Sequence, residues 1–327
     1  MTKSGIEWTD RSDWNPMRGC TRVSEGCRNC YAERIAGRFS APGQPFHGFT
    51  TQTPAGARWT GKVEMVPGRL DLPLRWRKPS RIFVNSAFDL FHESVPDAWI
   101  DRVFAVMALA PQHTFQVLTK RAERMRQYFA ARTSGDPWAE ASDYVADLLG
   151  TKYHPAVLEP EDMPLPNVWL GVSAEDQQRA DERIPHLLAT PAAVRWVSAE
   201  PLLGPLYMAT NGRFDDGDGA WNWLTGVRFD VDVDANGATG GGHKGASVDW
   251  VVAGGESGPG ARPMHPDWAR SLRDQCAKAG VPFFFKQWGE WEAGDGDTPY
   301  GQQFYKVGKK ATGRLLDGVE HNGMPGR

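Results

Sequence analysis

Six short apolar runs, spaced through the chain and each closing on or followed by polar side chains, constrain this 327-residue sequence more than any other feature. They are RIFVNS (81–86), TFQVLT (114–119), NVWLGVS (167–173), VRWVSAE (194–200), VDWVVAGG (248–255) and VPFFFKQW (281–288). Each is rich in β-branched and aromatic residues and too short to make a useful helix. The segments between them carry helical spacing. DAWIDRVFAVMALAP (97–111) sets Trp99, Ile100, Val103, Phe104 and Met107 on one face and stops at Pro111. Further helices are expected from about 121 to 131, over WAEASDYVADLLG to Gly150, from Asp176 to Leu188 and from Pro266 to Ala279. Strands that read as continuous apolar runs and alternate with helices specify a parallel sheet covered on both faces. IEWTDRSDWNP (6–16) reads as a seventh strand ahead of the series, followed by a helix from Asn29 to Phe39. The pattern permits an open doubly wound sheet or a partial barrel of about six or seven strands. In either, ligands gather at the carboxyl ends of the strands.

A single α/β domain over 1–327 accounts for this rhythm, with two interruptions. Residues 40–62 are rich in Pro, Gly and Thr and read as an excursion over the surface. Residues 205–247, with NGRFDDGDG and DVDVDANGATGGGHKG, read as a Gly- and Asp-rich insertion with little periodicity. Asp232, Asp234, Asn236 and Gly237 mimic the start of a calcium loop, but His243 stands where its closing glutamate belongs, so a plain acidic loop is the better reading. No apolar run approaches ~18 residues and MTKSGIEWTD is not a signal peptide, so a cytoplasmic protein without membrane attachment is expected. A reducing compartment leaves thiols free to act as ligands.

That matters because Cys20, Cys27 and Cys30 fall within CTRVSEGCRNCY, a C-x6-C-x2-C spacing flanked by Gly19 and containing Gly26. Three clustered thiolates suit a metal or an iron–sulfur cluster better than a disulfide. A structural zinc takes four ligands, whereas a cluster that touches a substrate keeps one iron open. His47, in APGQPFHGF, and Cys276, on an amphipathic helix, are the candidates for a fourth ligand. The simpler readings are a surface histidine and a small buried hydrophobe.

WNPMRGCTRVSEGCRNCYAERIAGRF, followed by NSAFDLFHE, LTKRAERM, VWLGVSAEDQ, WVSAEPLLGPL, VVAGGESGPGARPM and FFFKQWGEW, resembles the phage-associated three-cysteine-motif family, a divergent relative of radical S-adenosylmethionine (SAM) enzymes. The resemblance spans nearly the whole chain. It implies a partial TIM-type (β/α) barrel, a [4Fe–4S] cluster on Cys20, Cys27 and Cys30, and SAM bound through its methionine to the open iron. Reduction by an electron donor then cleaves SAM to a 5′-deoxyadenosyl radical. The first cysteine gap is six where radical SAM enzymes usually have three, and the aromatic Tyr31 follows the last cysteine rather than preceding it.

Polar residues close every strand, and in a barrel they share one rim. By position, Asn85, Ser86 and Asp89 are expected at the methionine end of SAM, and Glu175, Ser198 and Glu200 at its ribose and adenine. The triplet Gly254 to Glu256 matches a GGE that contacts the methionine amine in radical SAM enzymes, but it follows a late strand, so that role is not carried over. Lys120, Arg121 and Arg124 form a basic cluster suited to phosphate. Glu256, Lys286 and Trp288 are expected on the substrate side, Trp288 as a stacking surface for a base. A net charge of −3 gives no global attraction to nucleic acid, so such a contact has to be local. Two functions stay open: a radical SAM-type enzyme acting on a substrate such as a nucleobase of phage DNA, and a noncatalytic iron–sulfur or zinc protein that binds nucleic acid and uses the thiolates as a staple.

Overall fold

The six apolar runs pair into one sheet, with strands β1 (Arg81–Val84), β2 (Thr114–Thr119), β3 (Val168–Ser173), β4 (Val194–Ala199), β5 (Trp250–Gly254) and β6 (Phe283–Gln287). A computed structural model describes residues 4–132, 136–149, 162–210, 220–234, 237–298 and 301–326. The sheet is parallel, curls into a half-barrel, and runs in sequence order from β1 to β6. That order separates the two architectures the sequence permits: a doubly wound sheet reverses direction at a switch point, and this one never does. The fold is a partial β/α barrel. Every residue of β3 and of β5 is buried, as strands covered on both faces require.

The longer helices are α1 (Tyr31–Arg38), α2 (Asp97–Ala108), α3 (Ala122–Ala130), α4 (Asp136–Leu149), α5 (Gln177–Leu188) and α6 (Pro266–Ala279). α6 shows how local sequence sets the ends. His265 accepts the Asp267 N–H at 3.2 Å, Pro266 occupies the first turn, and Gly280 closes the helix in the left-handed conformation at φ +70°.

The chain divides into two compact units, Met1–Gly171 with Thr190–Ala193, and Val172–Ala189 with Val194–Arg327. The core of the first contains Trp8 against Phe83 at 4.8 Å, Trp14 against Phe115 at 5.3 Å, and an aromatic group of Phe104, Tyr128, Phe129 and Trp138. In the second, Trp196 on β4 packs against Trp250 on β5 at 5.3 Å.

Three expectations need correction. Residues 6–16 form no strand: they run beside β1 with one parallel bridge, Arg11 to Ile82, and irregular hydrogen bonds such as Phe83 N–H to Arg11 O and Asn85 N–H to Trp14 O. Buried Trp8 and Trp14 anchor that run. The 40–62 excursion contains an antiparallel hairpin, Thr50–Thr53 with Gly56–Trp59, packed on α1. The 205–247 insertion contains a longer hairpin, Val227–Asp234 with Gly237–Lys244. Asp232 and Asp234 lie in its first strand opposite Thr239 and Gly237, an extended register that cannot wrap an ion as a calcium loop does. Asn236 lies outside the described residues. Among the described residues no helix is long and apolar enough to cross a membrane.

Candidate functional site

The cysteine loop is built by close backbone contact. Met17 and Arg18 pair antiparallel with Met65 and Glu64, and Gly19 follows at φ +99°. A Cβ at Gly19 would lie 1.8 Å from the Lys62 carbonyl oxygen, so only glycine lets the 61–63 backbone come this near. Cys27 ends a short 3-10 turn, Glu25–Cys27, and Cys30 is the N-cap of α1. Buried Glu33 in the first turn of α1 fixes both sides of the loop. Its carboxylate accepts from Arg22 Nε at 3.0 Å, from Arg22 Nη2 and from the Trp59 N–H at 2.9 Å, with Arg58 nearby at 3.7 Å. Tyr31 adds a 2.6 Å hydrogen bond from its hydroxyl to the Ser86 carbonyl oxygen, tying the cysteine loop to the end of β1.

All three thiols are partly exposed, and Cys27 and Cys30 both bear on the charge of Cys20. Burial pushes the Cys20 thiol up to about 12; Asp89 pushes the same way, Arg121 opposes, and Cys30 and Cys27 add to the rise. Burial also raises Cys30, against the first-turn N–H groups of Glu33 and Ala32. Among the described residues no three His, Cys, Asp or Glu side chains converge on a single-ion site. Cys276 is fully buried on α6, where burial pushes its thiol up to about 12, and His47 is exposed in its loop.

At the end of β1, Asn85 is 2% exposed and sits at φ +50°, a left-handed conformation that asparagine tolerates better than most residues. Its Oδ1 accepts the Met17 N–H at 3.4 Å, while its Nδ2 has no hydrogen-bond partner. Ser86 donates to the Ser12 carbonyl at 2.6 Å. Asp89 is buried and accepts four hydrogen bonds: from Thr119 Oγ1 at 2.7 Å, Phe91 N–H at 3.0 Å, Lys120 N–H at 3.0 Å and Arg121 Nη1 at 3.0 Å. It is fully occupied by protein, not open to a ligand.

Two of the three residues of the expected phosphate cluster are engaged by carboxylates. Arg121 is buried and bound to Asp89 and Glu93, and Arg124 pairs with Asp97. These placements argue against phosphate contacts by either arginine.

The strand ends of the second unit hold their own groups. Glu175 is fully buried and paired with Arg183 at 2.9 Å, a structural ion pair. Ser198 Oγ donates to Glu200 at 3.3 Å, and Glu200 meets Lys286 Nζ at 2.9 Å. Glu200, Ser198 and Lys286 are therefore together. Gly254 borders them, since a Cβ there would lie 3.1 Å from Glu200 Oε1. Glu256 receives Arg262 through Nε, Nη2 and the backbone N–H. Trp288 is half-buried, packed on Phe285 with its indole N–H bonded to Leu315 O at 2.8 Å. A Cβ at Gly255 would lie 1.9 Å from Trp288 O, so the second glycine of the GGE triplet serves a close backbone crossing.

Sequence reasoning missed Thr21, His92, Glu33 and the exposed face of α1. Thr21 Oγ1 accepts from Arg121 and lies 2.9 Å from His92 Nε2, while His92 Nδ1 accepts the Ser94 N–H, so Nε2 carries the proton. Burial, followed by the positive charge of Arg121, lowers the His92 pKa and favours that neutral ring. Tyr31, Ile35 and Phe39, at i, i+4 and i+8, are exposed at 47%, 43% and 48%. Their spacing was legible as a helical stripe, but not its exposure.

Residues 3–325 match the family described as Protein of unknown function (DUF5131), and the chain belongs to that family. No curated protein and no solved structure matches it.

Proposed function

We propose that this member of the DUF5131 family is a radical SAM-type enzyme that holds a [4Fe–4S] cluster on Cys20, Cys27 and Cys30. The observation that carries the reading is the thiol set itself. Three thiols within one short loop, with the charges of Cys30 and Cys27 bearing on Cys20, supply the three thiolates that a cluster with one open iron takes, one fewer than a structural zinc. The partial β/α barrel, with this loop tied to the end of β1, supports it further. When bound, a reduced cluster supplies the electron that cleaves the SAM sulfonium; the protein's task is placement and exclusion of water.

The chain's own residues would act as follows. Asn85 offers its unpartnered Nδ2 as a donor to the methionine carboxylate, which would satisfy a buried amide otherwise left without a bond. Glu33, Tyr31 and Gly19 hold the loop in register.

For substrate we propose a nucleobase within nucleic acid, supported by the exposed rings of Tyr31 and Phe39 on either side of Ile35, directly after Cys30, and by exposed Arg28 and Arg38 beside them. An electron-donor protein completes the system. Anaerobically reconstituted, reduced protein should release 5′-deoxyadenosine and methionine from SAM, and Asn85→Ala should weaken SAM binding about tenfold, as loss of one hydrogen bond to a charged group does. Protein that carries a cluster yet neither binds nor cleaves SAM under any reductant would overturn the enzyme reading. Binding of single-stranded DNA should weaken steeply with salt and fall in Tyr31→Ala and Arg38→Glu; indifference to both changes would remove nucleic acid as the substrate.

A further inference from the structure

Arg121 directly precedes α3, yet its guanidinium serves the cysteine loop rather than the helix. Nη1 lies 3.0 Å from Asp89 Oδ2 and 3.9 Å from Cys20 Sγ. Nη2 donates to Thr21 Oγ1 at 2.7 Å and to Thr21 O at 3.3 Å, and Nε reaches both oxygens of Glu93 at 2.9 Å. The residue is 6% exposed. Asp89 has its other acceptor positions filled by Thr119, Phe91 and Lys120, so it holds Arg121 in a fixed pose and cannot swing towards another partner. Of the three cysteines, the structure gives a guanidinium contact to Cys20.

We propose that Arg121 is a positioning residue that fixes the Cys20–Thr21 turn and tunes the cluster through a charged N–H···S contact to the Cys20 sulfur. This rests on the cluster reading above. A thiolate facing a fixed guanidinium donates less electron density to its iron, and a nearby positive charge favours the state that has gained an electron. The arginine therefore holds the midpoint potential above the value the same site would have without it. Asp89 acts on the Cys20 sulfur in the opposite sense and more strongly, so Arg121 is the favourable half of a charge pair beside that sulfur. The other two sulfurs have different surroundings: Cys30 faces the first turn of α1, and Cys27 closes the 3-10 turn. The asymmetry makes the Cys20 corner the one whose hydrogen bonding a single substitution can alter.

The test is a spectroelectrochemical titration, with dithionite as reductant, of anaerobically reconstituted full-length protein and its variants. Arg121→Gln removes charge and fork together and should move the midpoint to a more negative value, by about tenfold in the reduction equilibrium, ~59 mV for a one-electron couple. Arg121→Lys keeps a charge without the fork and should fall between. Thr21→Val deletes an anchor of Nη2 while leaving every buried charge in place, and should shift the potential in the same direction by less. Arg124→Gln, whose partner is Asp97, should leave it unchanged. If Arg121→Gln fails to fold, Arg121→Lys and Thr21→Val decide. Potentials in Arg121→Lys and Thr21→Val equal to wild type, in protein that carries a full cluster, overturn the proposal and leave the cluster reading standing. A wild-type protein that binds no iron overturns both.

Discussion

Replacing Gly19 with alanine should destabilise the protein and empty the cysteine loop together. The residue sits at φ +99°, a region that costs a side-chain-bearing residue about 1–3 kcal/mol. The added Cβ would stand 1.8 Å from Lys62 O and 2.9 Å from its carbonyl carbon, where real contacts are rarely below 3.0 Å. The obstacle is backbone, so relief requires the 61–63 segment to retreat by more than an ångström. That retreat pulls on the Met17–Met65 and Arg18–Glu64 pairs and on the 2.7 Å bond from Val66 N–H to Pro16 O. Strain and lost pairing together come to about 3 kcal/mol or more. With a urea slope near ~3 kcal/mol/M for a chain of this size, the midpoint of the metal-free protein should fall by roughly 1 M. Gly61→Ala is the graded control: its φ is +85°, but its Cβ would meet only a Thr21 methyl at 3.3 Å, so about half the loss is expected. Urea denaturation followed by tryptophan fluorescence, with iron content after reconstitution measured in parallel, provides the assay. A Gly19→Ala protein within ~0.5 kcal/mol of wild type and loading iron normally would refute the close-contact account of the loop.

Glu33→Gln keeps the acceptor for the Trp59 N–H but removes the charge facing Arg22 and Arg58, so a loss of about 2–4 kcal/mol is expected by urea titration, with less iron retained; a loss under ~1 kcal/mol would show that the pair does not hold the loop. A pH dependence follows from His113, fully buried, with Nε2 close to the Pro73 and Trp76 carbonyls and Nδ1 without a partner. Burial lowers its pKa, those carbonyls oppose, and Arg11 adds to the lowering. The folded ring stays neutral while the unfolded one binds a proton below about 6.5, so stability is full above that pH and declines as pH falls towards the folded value. Between pH ~6.5 and ~5 the stability of His113→Asn should fall less steeply than that of wild type; equal slopes would remove His113 as the cause.

The parts of the fold that sequence predicted best are those whose partners need not be known. TFQVLT forms β2 at the expected bounds, and Pro266 to Ala279 is a helix at both expected ends, because proline, capping residue and glycine act locally. The strand at 6–16 failed for the opposite reason: Trp8 and Trp14 are drawn into contacts with Phe83 and Phe115, and the backbone follows them instead of the β pairing. In the insertion, VRFDVDVD carries a true period-two alternation that its aspartates obscured, and its partner GATGGGHK has no strand propensity of its own. The three cysteines were legible from spacing alone. That Arg121 faces Cys20 and Asp89 rather than solvent was not, since those partners lie 101 and 32 positions away and a basic residue beside a helix start reads the same whether buried or free.

Iron and sulfide analysis of anaerobically reconstituted protein, with Mössbauer spectroscopy of the same sample, tests the central claim most directly. The account predicts four irons and four sulfides per chain in wild type, one iron site distinguishable and perturbed by SAM, and loss of the cluster in each of Cys20→Ala, Cys27→Ala and Cys30→Ala but not in Cys276→Ala. Stoichiometric zinc in place of iron, or a cluster that survives removal of all three loop thiols, would contradict it.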